Sequence, residues 1–346
     1  MPAMTHLTPT QSQRGFSLIE LMVASLIGLI LLAAVVRVVM NTSSSHRDIA
    51  RAGQLLENGR YAMHLLSEEI AHAGFLDQFD ALEAPTSEPV ICASTLAELE
   101  AGIGMPVQGL DAQAGFTLPS CIPAGAYLAG TDILVIRRAS TTPATSLDAN
   151  LVYIQGRYDE LIMEQGDPAN FTLENPMSGD AIPVRRYRND IYFISPCSDF
   201  SGGSCKDQIP TLKRVELGPG LTYSDPPVSL VEGVENLQLY FGVDSEPADK
   251  PDGAPDRSAS GEIYRASAGA PSTQAGRDAW ANVMGVQVFL LTRDLEPSLG
   301  YSDDKTYVLG PAEHTTPHSV GGGGAFKRQV FSSFIRVINP SSRRES

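Results

Sequence analysis

The strongest pattern in the chain is an abrupt change at Phe16, where a polar stretch ending in Arg14-Gly15 gives way to FSLIELMVASLIGLILLAAVVRVVM. This apolar run, residues 16–40, has about the ~20-residue length a helix needs to cross the hydrocarbon layer. A secretory signal would carry small residues in an A-x-A-like context after its apolar run. Nothing of that kind follows Met40, so the segment is expected to be retained as a transmembrane half-helix. A polar break follows at residues 41–45. Beyond it Ile49, Ala52, Leu56, Gly59, Met63, Leu66, Ile70 and Ala73 recur in steps of three and four. Such spacing predicts one apolar stripe on an amphipathic half-helix over residues 41–74, stopped by Gly74. The stripe reads as core packing and carries no site.

From residue 75 onward the period changes. TDILVIRR, LVYIQG, DIYFIS, TLKRVEL, VENLQLYFGV, VMGVQVFLLTRD and RQVFSSFIRVI are short runs rich in Val, Ile, Tyr and Phe, set apart by Gly, Pro, Asn and Asp. These are strand signals. In the last run Phe331, Ser333, Ile335 and Val337 alternate with Ser332, Phe334 and Arg336, as in a half-buried antiparallel strand. No amphipathic helices alternate with the strands, which argues against a doubly wound parallel sheet. The predicted class is α+β, the back half of a long helix lying across an antiparallel sheet, with residues 75–346 forming one β-rich globular domain. Residues 244–276 and 311–324 read as loops, the second ending in four glycines.

Charge and chemistry narrow the function. A net charge of −15 argues against wrapping nucleic acid, which needs clustered Lys and Arg. The densest basic run, Arg185 to Arg188, reads as the solvated face of a strand. No GxSxG elbow, P-loop, HExxH or dinucleotide fingerprint is present, so no enzyme is expected. Four cysteines, Cys92, Cys121, Cys197 and Cys205, all follow the membrane-length segment. An even count there suits an oxidising compartment and two disulfides. Three pairings are open, and proximity favours Cys92 with Cys121 and Cys197 with Cys205. Asp244, Asp249, Asp252 and Asp256 share one loop and offer hard oxygen ligands for calcium, but their spacing is not that of an EF-hand. A solvated acidic turn is the plainer reading, and no cofactor is expected. His314 and His318 are four apart, yet Pro317 between them argues against a shared helical face.

One residue interrupts the membrane run: Glu20. A carboxylate in a membrane helix costs several kcal/mol unless paired, which marks it as functional. Neither Ser17 nor Ala24, one turn away, brings a positive charge. Cleavage between Gly15 and Phe16 would create an α-amino group that a neighbouring copy could bring to it. The plainer alternative is a Glu solvated at the helix end.

Gly15 followed by FSLIELM resembles the prepilin processing site, with a polar leader over residues 1–15, an aromatic first mature residue and Glu five residues in. The resemblance implies that a membrane-embedded prepilin peptidase cuts after Gly15 and methylates the Phe16 amine, and that Glu20 receives another subunit's N-terminus during assembly. LLENGRYAMHLLSEEIAHAGF, ISPCSD with TLKRVEL, VEGVENLQLYFGVD and FKRQVFSSFIRVINP resemble segments of PilW-type minor pilins. That family implies a pilin fold and a structural subunit that helps initiate type IV pilus assembly at or near the pilus tip, supporting adhesion and twitching motility. Its implied partners are other minor pilins, the major pilin, prepilin peptidase and a large tip adhesin. Lys and Arg near the helix ends do not orient the chain, since Arg14 faces Arg37, Arg47 and Arg51 on the other flank. The resemblance and the cysteines place the leader in the cytoplasm, the chain in the inner membrane and the domain in the periplasm before it enters the fimbrium. The alternatives are a minor pseudopilin of type II secretion and a membrane-tethered binding protein with no fibre.

Overall fold

The computed structural model describes residues 15–111, 117–245, 252–259, 261–314 and 317–345. The chain divides into two units, Met1–Arg51 and Ala52–Ser346. One helix, α1 (Leu18–Ala71), contributes to both. In the first unit its Leu, Ile, Val and Met side chains are exposed all round, as a lipid-facing helix requires. The polar residues 41–45 do not break it. Thr42 donates its hydroxyl to the Val38 carbonyl at 2.9 Å, so that polar group is satisfied within the preceding turn.

In the second unit α1 and the turn that follows it bury a single stripe: Leu55, Gly59, Ala62, Leu66, Ile70 and Ala73. Gly59, Leu66, Ile70 and Ala73 are where the pattern put them. Leu56 is instead 39% exposed and Ile49 69%, Ala52 is exposed and Met63 half-buried. Leu55 and Ala62 replace them. Strict alternation of three and four has a period of about 3.5 and drifts around a straight helix. The span from Leu55 to Ala73 is about five turns at ~3.6 residues per turn, so the true stripe stays on one line. Gly74 ends the helix with φ of 71°, a left-handed conformation that favours glycine.

The strands, in chain order, are β1 (Val107–Leu110), β2 (Ile133–Ala139), β3 (Val152–Arg157), β4 (Glu160–Gln165), β5 (Arg185–Ser195), β6 (Phe200–Ser201), β7 (Ser204–Cys205) and β8 (Thr211–Glu216). They continue with β9 (Val228–Glu232), β10 (Val234–Val243), β11 (Tyr264–Arg265), β12 (Val283–Arg293), β13 (Thr306–Leu309), β14 (His318–Gly321) and β15 (Arg328–Arg336). Every strand pairing among the described residues is antiparallel. A seven-stranded sheet runs β1-β2-β5-β3-β4, with β8 also on β5 and β9 on β8; a four-stranded sheet runs β11-β10-β12-β15. The architecture is α+β.

The stripe of α1 enters a core shared by both sheets. Ala62, Leu66, Ile70 and Ala73 lie with Leu134, Ile136, Tyr192 and Ile194 of the first sheet and Leu237, Leu239, Val286 and Ile335 of the second. The first sheet is covered on its other face too, by clusters around Val152 and Tyr187 and around Ile191 and Phe193. Strand β2 is therefore buried at every position, and its first four residues, Ile133 to Ile136, are all apolar.

Several glycines mark places where a ring lies on the backbone. A Cβ at Gly59 would strike the Phe331 ring, at Gly109 the Phe241 ring, at Gly285 the Phe334 ring, and at Gly242 the Tyr264 ring. The glycines expected to end a loop are not of this kind: β14 takes in Gly321, and a Cβ on Gly322 would meet Asp303 and the backbone oxygen of Lys305. Three short α-helices, α2 (Leu96–Gly102), α3 (Gln274–Ala281) and α4 (Ile338–Glu345), are also present among the described residues.

We expect Leu66→Ala to lower stability by about 2–5 kcal/mol, since it opens a cavity at a fully buried position. Leu56→Ala should stay within about 0.5 kcal/mol. Thermal unfolding of the full chain in detergent, followed by circular dichroism, separates the two, and equal losses would refute the assigned stripe.

Candidate assembly site

Ser17 immediately precedes α1 and caps it. Its hydroxyl accepts a hydrogen bond from the Ile19 amide at 3.3 Å, and the Glu20 carboxylate accepts one from the Ser17 amide at 3.0 Å. Ser-x-x-Glu bonded back in this way is a capping box, and it satisfies two of the helix's otherwise orphaned donors. The carboxylate also lies where the helix presents its partial positive charge, about half an elementary charge. Glu20 therefore has a local partner at the start of its helix, the Ser17 amide, which brings no positive charge. The signal was available as Ser17-Leu-Ile-Glu20. A neutral amide orients the carboxylate and leaves its negative charge uncancelled. Phe16 is 90% exposed. Of the predicted leader, only Gly15 lies among the described residues.

At the other end, α1 is tied to the β domain by charge. Arg138 of β2 grips Glu69 with two parallel hydrogen bonds, Nε to Oε2 at 2.9 Å and Nη2 to Oε1 at 3.0 Å. Both side chains are largely buried, at 9% and 14% exposure, so this bidentate pair is stronger and more directional than a surface ion pair. Nearby, Arg188 pairs with Asp190 at 2.6 Å and Arg214 with Glu216 at 2.6 Å. Helix α4 closes the exit of α1: Asn339 donates to the Ala73 carbonyl at 3.1 Å and Arg343 to the Gly74 carbonyl at 2.9 Å. A cation at a helix C-terminus also favours the dipole.

The basic run is not a solvated strand face. Arg185 is held by Asp77 at 3.1 Å, by the Ser140 and Thr141 carbonyls, and over the Phe75 ring. Arg186 donates to the Leu217 carbonyl. Strand β5 lies inside a sheet, so its long side chains fold along neighbours rather than into water. The disulfides are Cys92–Cys121 and Cys197–Cys205. Asp249 lies outside the described residues. Asp244 accepts from the Gly253 amide, Asp252 from the Ala254 amide, and Asp256 from the Ser245 amide and hydroxyl. These carboxylates organise their own loop, and no group of three or more metal-ligating residues forms among the described ones. His314 packs edge-on to Tyr240 with Glu262 at 3.9 Å, while His318 opens β14. The two histidines share no helix.

Residues 10–36 match the prokaryotic N-terminal methylation motif. With the apolar helix and the antiparallel domain behind it, this defines a pilin-like, membrane-anchored class of protein. Residues 191–339, β5 through the start of α4, match PilW, type IV pilus-assembly protein W. The two matches make the chain similar to the PilW-family pilins over residues 10–36 and 191–339. No curated protein matches. No solved structure matches either.

The second disulfide loop carries a pH dependence that can be read directly. Asp207 accepts from the amides of Ser198, Asp199 and Ile209 at 2.8, 2.8 and 2.9 Å, and from the Ser198 hydroxyl at 2.9 Å. Desolvation raises its pKa, but these donors outweigh it and hold the carboxyl at about 2. The unfolded value is about 3.9, so the contribution is present above about pH 4 and lost as pH falls towards 2. Asp207→Asn should unfold at a lower temperature than wild type above pH ~4.5, and the gap should close towards pH ~2. A gap that stays constant over that range, in melts recorded at each pH, would overturn the assignment.

Proposed function

We propose that the chain is a minor pilin that helps to initiate type IV pilus assembly and sits at or near the pilus tip, serving adhesion and twitching motility as a structural subunit without catalysis or cofactor. The observation that carries this reading is the coincidence of the methylation motif with the start of an apolar helix bearing Glu20. Cleavage after Gly15 frees the Phe16 amine, whose methylation keeps it basic. Inside the membrane, Glu20 of one subunit and that amine of the next neutralise each other, which favours docking of an incoming helix over leaving either charge alone.

Two disulfides after the apolar segment favour an oxidising compartment for the domain, hence a periplasmic orientation before the subunit joins the fimbrium. Other minor pilins and the major pilin are the expected lateral partners, prepilin peptidase the processing enzyme, and a large tip adhesin a contact of the domain. Nucleic acid is not a proposed partner: the chain carries a charge of −15, and Arg185, Arg186 and Arg188 are engaged internally. A minor pseudopilin of type II secretion would share the processing site and helix; the PilW match favours the pilus.

Mass spectrometry of the mature chain should find N-methylated Phe16 at its start. Glu20→Ala should still insert and be cleaved. Its amount in sheared fibres should fall by roughly tenfold or more, since tenfold corresponds to only ~1.4 kcal/mol. A mature chain that retains residues 1–15, or equal incorporation of the variant, would refute the proposal.

A further inference from the structure

Helix α1 begins at Leu18, and residues 15–17 precede it outside any helix. The Leu21 amide donates to the Ser17 carbonyl at 3.1 Å, which closes the first turn. The bond that the processing motif marks for cutting, Gly15–Phe16, therefore lies just ahead of that turn. Phe16 is 90% exposed, and a Cβ built on Gly15 would meet nothing within 4 Å.

What stops the helix there is a competition for one donor. In a helix continued backwards, the Ile19 amide would bond the carbonyl four residues earlier, which belongs to Gly15. That carbonyl is half of the scissile bond. Instead the Ile19 amide donates to Ser17 Oγ at 3.3 Å, and the Gly15 carbonyl accepts no hydrogen bond among the described residues. The Ser17 amide is committed as well, to Glu20 Oε2 at 3.0 Å. Of the residues that follow, Leu, Glu and Met favour helix and none forbids it. Gly15 is a weak helix former, but it offers no side-chain group that competes for the Ile19 amide. Ser17 supplies that group.

Hydrolysis places the oxygen of water on the Gly15 carbonyl carbon and a proton on the Phe16 nitrogen as the C–N bond breaks, leaving a Gly15 carboxylate and a Phe16 amine. An enzyme stabilises the charge that builds on the carbonyl oxygen with donors of its own. An oxygen already bonded within a helix, and screened by the side chains of the next turn, is closed to those donors. We propose that Ser17 is a positioning residue for cleavage: its hydroxyl takes the amide that would otherwise bond the scissile carbonyl, and so holds Gly15–Phe16 outside α1 for prepilin peptidase. The cut itself rests on the pilin reading above. The capping box then divides its labour, with the Ser17 hydroxyl serving cleavage and the Glu20 carboxylate serving assembly.

Time courses of leader removal from the full-length chain, in membranes that contain prepilin peptidase and read by mass spectrometry, test this. Ser17→Ala should enter the membrane as wild type does and be cut about fivefold more slowly, the scale of an N-cap lost to alanine. Ser17→Asn caps through a different group and should be cut at the wild-type rate. Glu20→Ala keeps the Ser17 hydroxyl and should match it. Wild-type cleavage of Ser17→Ala overturns the positioning role. So does Ser17→Asn as slow as Ser17→Ala, which would mean that the enzyme reads the hydroxyl itself. A wild-type chain left uncut at Gly15 overturns the pilin reading, and this inference with it.

Discussion

The folded domain depends on one constraint: α1 must lay a narrow line of side chains into a core built by two sheets at once. Of Leu55, Gly59, Ala62, Leu66, Ile70 and Ala73, half are small, and at Gly59 a side chain of the sheet, Phe331, fills the space against the helix. Burial supplies the bulk of the attraction, at about 25 cal/mol per Å² of apolar surface. Direction comes from elsewhere. The Arg138–Glu69 fork fixes the rotation of the helix about its axis, because two parallel hydrogen bonds tolerate little turning.

The last residues of the domain return to the same helix. Strand β15 sets Phe331 on Gly59, and α4 then places Asn339 and Arg343 on the carbonyls where α1 ends. Ser341, between them, donates to the Gly253 carbonyl and receives a bond from Arg336. The same short helix therefore holds the exit of α1 and the acidic loop. That arrangement explains why the loop's aspartates turn to backbone amides: they shape a segment that α4 must grip.

Much of this was legible in the sequence, and the exceptions have physical causes. Seven of the eight strands of six or more residues among the described ones declared themselves through Val, Ile, Tyr and Phe, while β4, ELIMEQ, did not; Gly74 declared itself through its place after the stripe. The stripe's first turns were misread because a 3.5-residue repeat and a 3.6-residue helix agree only over a short distance. Strands β13 and β14 were hidden by Gly and Pro, which mark turns as often as close packing. The Arg185 run looked solvated because its partners, Asp77 and the Ser140 and Thr141 carbonyls, are remote in sequence. At the N-terminus, Glu20 stood out as a charge in an apolar run, whereas its bond to Ser17 is a local pattern that was overlooked.

The glycines under aromatic rings have a consequence for how such a sequence can drift. At Gly109 beneath Phe241, or Gly285 beneath Phe334, a methyl group and a ring compete for the same volume. Neither partner can be exchanged while the other is kept: enlarging the glycine expels the ring, and shrinking the ring leaves a void over bare backbone. Such positions should change in pairs over evolutionary time, and related chains would reveal the β domain through these correlated exchanges even where individual residues no longer agree.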